Sequence, residues 1–165
     1  MDERGVLKGF NEFYENIESI NHILIPERID GKVIKAIADY AFHNHIHLES
    51  VVLPQSVSSI GELAFAGCKN LVSLNIPPSV TSIKFGTFQY CTSLRTIELP
   101  DSVTSIEWSA FEDCHGLSSL NLPDSLISIG MTAFKNSRTL TRIHIPDSVT
   151  SIGACAFWGC SQLET

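Results

Sequence analysis

Four of the five cysteines recur at a fixed spacing, and they are the residues best suited to redox or metal chemistry. They stand 23 residues, or twice 23 residues, apart: Cys68, Cys91, Cys114 and Cys160. If 23 residues form one coil, neighbouring thiols lie in a row at about 4.8 Å spacing. A row cannot surround a zinc ion with four ligands, and parallel side chains hold their Cβ atoms slightly too far apart for a disulfide. The pattern favours thiols buried as small hydrophobic groups, and it leaves Cys155 as the thiol expected at the surface.

The stretch "HNHIHL" places three histidines at alternate positions, which could hold a transition metal. These are His43, His45 and His47. However, His45 occupies the place of the repeated cysteine, and alternation within an irregular turn does not bring side chains to one face. We therefore expect no bound metal, and nothing in the sequence indicates another cofactor.

Repeated serines raise the alternative of a hydrolase. They stand at Ser59, Ser82, Ser105, Ser128 and Ser151. A nucleophile would be one exceptional serine with a base and oxyanion donors nearby. Identical serines in successive repeats indicate a structural column instead, and the sequence contains no G-x-S-x-G motif and no phosphate-binding loop. The sequence predicts that the protein is not an enzyme.

All of these spacings belong to one repeat that covers most of the chain. Two of its columns are Phe42, Phe65, Phe88, Phe111, Phe134 and Phe157, and Leu48, Leu71, Leu94, Leu117, Leu140 and Leu163. A period between 20 and 29 residues with leucine columns is typical of a leucine-rich-repeat solenoid. The phenylalanines are expected to form a packed aromatic spine rather than a ligand platform.

Each repeat predicts one short strand and one tight turn. The alternation in "LxxLxIP" predicts parallel strands, joined by right-handed crossovers, at residues 20–25, 48–53, 71–76, 94–99, 117–122 and 140–145. A serine column beginning at Ser56 is suited to side-chain bonds to the backbone. The "AFxxC" segment predicts a single helical or 3₁₀ turn. Its last residue is of a type that tolerates a left-handed conformation in every repeat except at Tyr90.

The amino-terminal region departs from the repeat. Phe10, Phe13, Ile17 and Ile20 follow a helical 3-4-3 spacing, so residues 1–19 are expected to cap the first coil. The solenoid itself is expected over residues 20–165, with about six repeats. The Asp30-Gly31 pair predicts a small hairpin with a type I′ turn.

The carboxy-terminal coil carries no comparable cap in this sequence. It contains Val149, Ile152, Phe157 and Leu163, whose apolar side is expected to face water. We expect either further repeats after Thr165 or association of two copies end to end, because an open strand edge invites pairing.

The overall composition excludes two classes of partner. The chain has 165 residues, a net charge of −7, 18% charged residues and 44% hydrophobic residues. No basic stripe is available for nucleic acid, and no apolar run approaches the ~20 residues of a membrane span. The opening "MDERGVLKGF" does not look like a secretion signal, so the sequence leaves the location open.

The repeated "LPDSVTSIGxxAFxGCxxLxxLxIP", introduced by "IPERIDGKVIKAIADYAF", resembles the BspA-like leucine-rich-repeat family over residues 20 to 165. The resemblance implies a leucine-rich-repeat solenoid. It also implies a repeat protein of a bacterial or protist surface, of a kind often implicated in adhesion, and hence a cell-surface or secreted location. No site motif of the family identifies a ligand.

Two surfaces are candidates for binding a protein or a glycan. The strand face presents polar residues outward: Ser73, Asn75, Thr96, Glu98, Ser119, Asn121, Arg142 and His144. The convex patch consists of Phe85, Trp108 and Met131, which replace acids of earlier repeats at what should be an exposed position. The alternative is a structural, self-associating segment of a longer repeat protein.

Overall fold

The computed structural model describes residues 2–8 and 21–164, and within them the secondary structure consists of short strands without helices. The strands are β1 (Val6–Leu7), β2 (His22–Leu24), β3 (Arg28–Ile29), β4 (Lys32–Val33), β5 (Ala36–Ile37), β6 (Ser50–Val52), β7 (Ser59–Ile60), β8 (Ser73–Leu74), β9 (Ser82–Ile83), β10 (Ser105–Ile106), β11 (Ser128–Ile129) and β12 (Ser151–Ile152). Their regular recurrence gives one coil per repeat, which confirms the leucine-rich-repeat solenoid.

Two sides of each coil carry parallel pairing. On the first side, β2, β6 and β8 form a three-stranded sheet from the predicted "LxxLxIP" segments. On the second side, the Ser-Ile pairs form the sheets β1-β5-β7 and β9-β10-β11-β12. Their register advances by one repeat at each step, as in Ser105 opposite Ser128 and Ile106 opposite Ile129. This second ladder was not anticipated, because a two-residue alternation gives too weak a strand signal.

The predicted strands are confirmed in the first three repeats and weaken after them. Residues 94–99 contain no strand, and residues 117–122 and 140–145 share only an isolated bridge between Ser119 and Arg142. These segments still stack through single backbone bonds. The N–H of Arg95 donates to the carbonyl of Val72 at 3.4 Å, and the N–H of Ser118 donates to that of Arg95 at 3.2 Å. Sparse bonding, rather than a different path of the chain, removes the strand.

The turn in each repeat alternates between local and inter-coil hydrogen bonds. In the second repeat the N–H of Ala66 donates to the carbonyl of Leu63, three residues back, at 3.1 Å. The N–H of Phe65 instead donates forward to the carbonyl of Thr87 in the next coil, at 2.9 Å. A helix would need every N–H to donate backward, so the predicted turn is present but is not helical within the described residues.

Two residues per coil have a left-handed backbone. The expected column is present, with φ near +60° at Asn44, Asp113 and Asn136 and also at the exceptional Tyr90. A second column was not predicted: Tyr40, Leu63, Gly86, Ser109, Thr132 and Cys155, with φ from 54° to 59°. Only glycine in that list favours the conformation, so the stacking imposes it on the other residues.

The ladder bonds and the turn bonds run in opposite directions along the stack. The N–H of Gly61 donates to the carbonyl of Ile37 in the preceding coil, at 2.9 Å, whereas the N–H of Phe65 donates to the following coil. Each coil is therefore held to its neighbour by donors on both sides of the contact.

The phenylalanine column forms the predicted spine through the core. Neighbouring rings stack with centroids 5.0 to 5.7 Å apart and planes within 13° of parallel. The first five rings are fully buried, and Phe157 in the last coil is half-buried. Rings of one type can stack in this way because the repeat returns the same side chain to the same place.

The two ends of the solenoid differ. Near the amino terminus β3 and β4 form the predicted antiparallel hairpin, with φ of +50° at Asp30 and +75° at Gly31, as a type I′ turn requires. The predicted helical cap lies outside the described residues. In the last coil Ile152 is 50% exposed, whereas its counterparts in the preceding coils are buried, so the expected apolar side faces water in this chain.

Candidate binding surfaces

The cysteine column forms neither disulfides nor a metal site. All five thiols are free. Each column thiol donates to the carbonyl of a phenylalanine 26 residues earlier, as from Cys91 to Phe65 at 3.1 Å, and the Ser137 hydroxyl makes the same bond to Phe111. Burial raises the pKa of Cys68 to about 12 and that of Cys91 well above its usual value. The thiols therefore act as hydrogen-bond donors as well as small apolar groups, which the sequence analysis missed.

The histidine cluster does not come together. His43 and His47 are exposed, and His45 is half-buried, which lowers its pKa. The ring of His43 packs edge-on against Tyr40, with centroids 5.7 Å apart. In residues 2–8 and 21–164 no group of three His, Cys, Asp or Glu side chains is arranged to hold a metal.

The repeated serines have structural positions. The hydroxyl groups of the turn column donate to a carbonyl 22 residues earlier: Ser56, Ser102, Ser125 and Ser148, at 2.6 to 2.8 Å. The column that begins at Ser59 lies in the ladder strands β7 and β9 to β12. A column in which every coil repeats the same environment gives no serine the distinct surroundings of a nucleophile.

On the strand face, most candidate residues project into solvent. Seven are exposed: Ser73, Thr96, Glu98, Ser119, Asn121, Arg142 and His144. Asn75 is half-buried instead, and both ends of its amide bind the backbone of Leu53, at 2.8 and 3.0 Å. Its side chain therefore replaces a ladder bond and has little left to offer a ligand. Leu24 and Val52 lie opposite each other on β2 and β6 and extend this face with two exposed apolar side chains.

The convex patch is exposed where the sequence placed it. Trp108 is 52% exposed, Met131 is 40% exposed, and Phe85 is half-buried. The Phe85 and Trp108 rings contact each other at 5.6 Å between centroids, tilted by 57°. The patch therefore spans three successive coils, and its preceding neighbours in the column, Asp39 and Glu62, are exposed acids.

Beside this patch lies a polar ladder that the sequence analysis did not single out. The Glu112 carboxylate accepts from Gln89 of the preceding coil at 2.9 Å and from Lys135 of the following coil at 2.8 Å. Burial raises the pKa of Glu112, but the hydrogen bonds from Lys135, Ser109 and Gln89 outweigh it, and the pKa is lowered. The Lys135 ammonium also lies 5.8 Å from the ring of the exposed Trp158. The 23-residue spacing of Gln89, Glu112 and Lys135 was the available signal.

Comparisons with known proteins agree on the repeat. Six copies of the BspA type leucine rich repeat region match residues 35–164. No curated protein sequence matches the chain. Within the described residues no helix is long and apolar enough to cross a membrane.

Solved structures of leucine-rich-repeat proteins match the whole fold. A protein from Bacteroides ovatus ATCC 8483 is 30% identical with a TM-score of 0.88, and the match covers 99% of this chain and 43% of that one. The TpLRR protein of T. pallidum is 29% identical with a TM-score of 0.78, over 87% of this chain and 78% of that one. A leucine rich cell surface protein from Faecalibacterium prausnitzii A2-165 is 31% identical with a TM-score of 0.67, over 88% and 47%. The chain thus spans less than half of two of these three proteins.

Proposed function

Because the chain belongs to the BspA-type leucine-rich-repeat family, we propose that it is a non-catalytic module that binds a protein or glycan partner through the convex patch. The observation that carries the proposal is the exposure of Trp108 between Phe85 and Met131 on three stacked coils. Exposed apolar patches of this kind usually mark contact surfaces.

The chemistry of the patch suits an anchor in an interface. Tryptophan is among the residues most often found at binding hot spots, because it buries a large apolar area at a small cost in side-chain entropy. Burying a large apolar side chain contributes about 1.5–3 kcal/mol. The neighbouring coils fix the position of Trp108, and its contact with Phe85 restricts the ring before any partner arrives. The same surface suits a protein or the apolar face of a sugar.

We extend the proposal to location. The F. prausnitzii relative is described as a cell surface protein. A cell-surface or secreted location, and an adhesion role within a longer repeat protein, would fit a module that presents a fixed frame with one variable apolar column.

The second candidate is a self-associating scaffold segment. It is favoured by one observation, the half-exposed Ile152 and the half-buried Phe157 in the last coil, whose counterparts are buried in every other repeat. Static light scattering over a dilution series distinguishes the two candidates, because only self-association gives a mass that rises with concentration.

The test of the proposed function is a binding screen against immobilised extracellular proteins and glycans. We expect Trp108→Glu to reduce binding to any captured partner by at least about tenfold. Val72→Glu is the matched control, because Val72 is also exposed but lies outside the patch. Arg142→Ala tests the strand face in the same screen. Equal loss in Trp108→Glu and Val72→Glu, or loss only in Arg142→Ala, contradicts binding through the convex patch.

A further inference from the structure

A trough with a volume of about 450 Å³ lies on the side formed by β1, β5 and β7. One column of the ladder runs along it: Lys8, Ala38, Gly61 and Lys84. The parallel register places Lys8 beside Ala38, since Leu7 pairs with Ile37 and the N–H of Ala38 donates to the carbonyl of Leu7 at 2.8 Å. We call this feature the lysine trough.

The depth of the trough comes from the small residues between its two lysines. Gly61 has no room for a side chain, because a Cβ there would lie 2.3 Å from the backbone nitrogen of Asp39. Ala38 and Ser59 add little height on either side of it. Since adjacent coils are about 4.8 Å apart, the Cα atoms of Lys8 and Lys84 are separated by about 14 Å. The trough is long, shallow and closed at each end by a cation.

The charge of the lining is opposite in sign to that of the chain. Three cations, Arg4, Lys8 and Lys84, face two acids, Asp2 and Asp39, in a protein with a net charge of −7. Both acids are already engaged within the protein, whereas among the described residues neither Lys8 nor Lys84 forms an ion pair or a side-chain hydrogen bond. Two ammonium groups are thus available to a ligand.

The partners of the two acids are well defined. Asp2 pairs with the Arg4 guanidinium at 3.2 Å and accepts the backbone N–H of Val6 at 3.1 Å. Asp39 Oδ1 accepts the backbone N–H of Glu62 at 2.8 Å. These interactions neutralise Arg4 and hold the two carboxylates at the margins, which leaves the lysines to set the preference of the trough.

We propose that the lysine trough binds an extended acidic peptide segment with two carboxylates about four residues apart, the separation that spans about 14 Å in an extended chain. One carboxylate contacts Lys8, the other contacts Lys84, and the peptide backbone lies over Ala38 and Gly61. No aromatic residue lines the trough, so it lacks a platform for stacking a sugar ring. This site lies apart from the convex patch and extends the protein's function beyond it.

The probe is the fluorescein-labelled peptide Gly-Glu-Gly-Gly-Gly-Glu-Gly, with binding measured by fluorescence polarisation on the full chain at low ionic strength. We expect Lys84→Glu and Lys8→Glu each to weaken binding by at least about tenfold. Lys69→Glu is the matched control, because it makes the same charge change at an exposed lysine outside the trough. It should change the dissociation constant by less than about twofold.

Several outcomes would overturn the proposal. One is an equal effect of Lys69→Glu and Lys84→Glu, since this would show only the influence of total charge. Others are equally tight binding of the glutamine version of the peptide, or of polygalacturonate at matched charge. Thermal unfolding of each variant verifies that it is folded, and Lys8→Glu provides a second reading if Lys84→Glu is not. Trp108→Glu should leave peptide binding unchanged, so failure here and failure of the convex-patch proposal are separate results.

Discussion

The thiol of Cys91 donates a hydrogen bond to the carbonyl oxygen of Phe65, one coil earlier, at 3.1 Å. The backbone N–H of Cys68 donates to the same oxygen, also at 3.1 Å. One carbonyl thus joins the turn of its own coil to the side chain of the next. This explains why serine replaces cysteine in the column at residue 137 without disturbing the stack.

Replacement of Cys91 should distinguish a donor from a space-filling group. We expect Cys91→Ser to keep the bond to Phe65 and to lower the free energy of unfolding by less than Cys91→Ala does. The alanine variant loses a hydrogen bond, at a cost of about 0.5–1.5 kcal/mol, and leaves a small cavity as well. Urea denaturation of both variants measures the difference. A serine variant less stable than the alanine variant would show that the thiol is needed only for its apolar volume.

The thiols should differ sharply in reactivity. In native protein at pH 8 we expect a thiol reagent to modify Cys155 first, because it is exposed. Cys68, Cys91 and Cys114 are buried and their pKa values are raised, so they should react only after unfolding. Mass spectrometry of peptides from timed labelling identifies the order. Rapid labelling of Cys91 in folded protein would contradict the closed core.

The Glu112 network should make stability depend on acid pH. The pKa of Glu112 is lowered in the fold, so its contribution is complete above the unfolded value of about 4.5 and is lost as pH falls through the folded value. We expect Glu112→Gln to reduce the free energy of unfolding at pH 7 by about 1 kcal/mol or more. That difference should shrink below pH 4. Denaturation curves at several pH values measure it, and a difference independent of pH would exclude an ionised network.

Trp108 and Phe111 stand three residues apart but should respond very differently to substitution. We expect Trp108→Glu to change the free energy of unfolding by less than about 1 kcal/mol, because the side chain is half exposed. Phe111→Ala should cost about 3–5 kcal/mol, because it removes a fully buried ring from the middle of the spine. Similar losses in the two variants would place Trp108 in the core.

Hydrogen exchange should show a gradient along the 165-residue chain. At low protein concentration, we expect amides of residues 140–164 to exchange much faster than those of residues 71–122. The reason is that the side of the last coil that bears Ile152 has no neighbouring coil in this chain. Mass spectrometry of proteolytic fragments after exchange provides the measurement. Equal protection in a sample shown to be monomeric would refute the expectation.

The periodic features of the fold could be predicted from the sequence. The phenylalanine spine, the Asp30-Gly31 turn and the left-handed column at Asn44 follow from residue types that recur at a fixed spacing or that few other conformations accommodate. The exposure of Trp108 was predictable for the same reason, because a column that contains Asp39 and Glu62 cannot be buried.

Features imposed by stacking could not be predicted from residue type. Leu63 and Thr132 have a left-handed backbone although neither residue favours it, because the inter-coil bonds around them determine the path of the chain. The structural role of Asn75 depends on the position of the Leu53 backbone. The lysine trough likewise requires Lys8, outside the repeat, to fall into register with Lys84.

The opposite directions of the turn bonds and the ladder bonds have an electrical consequence. The peptide group of Phe65 points its N–H toward the next coil, and that of Gly61 points toward the previous one. Their dipoles therefore oppose each other along the axis of the solenoid. In an α-helix every peptide dipole adds to the same macrodipole, and the two ends acquire partial charges of about half an elementary charge. Here each added coil contributes cancelling dipoles, so the stack can lengthen without accumulating a field at its ends, and the surface charges alone determine what it attracts.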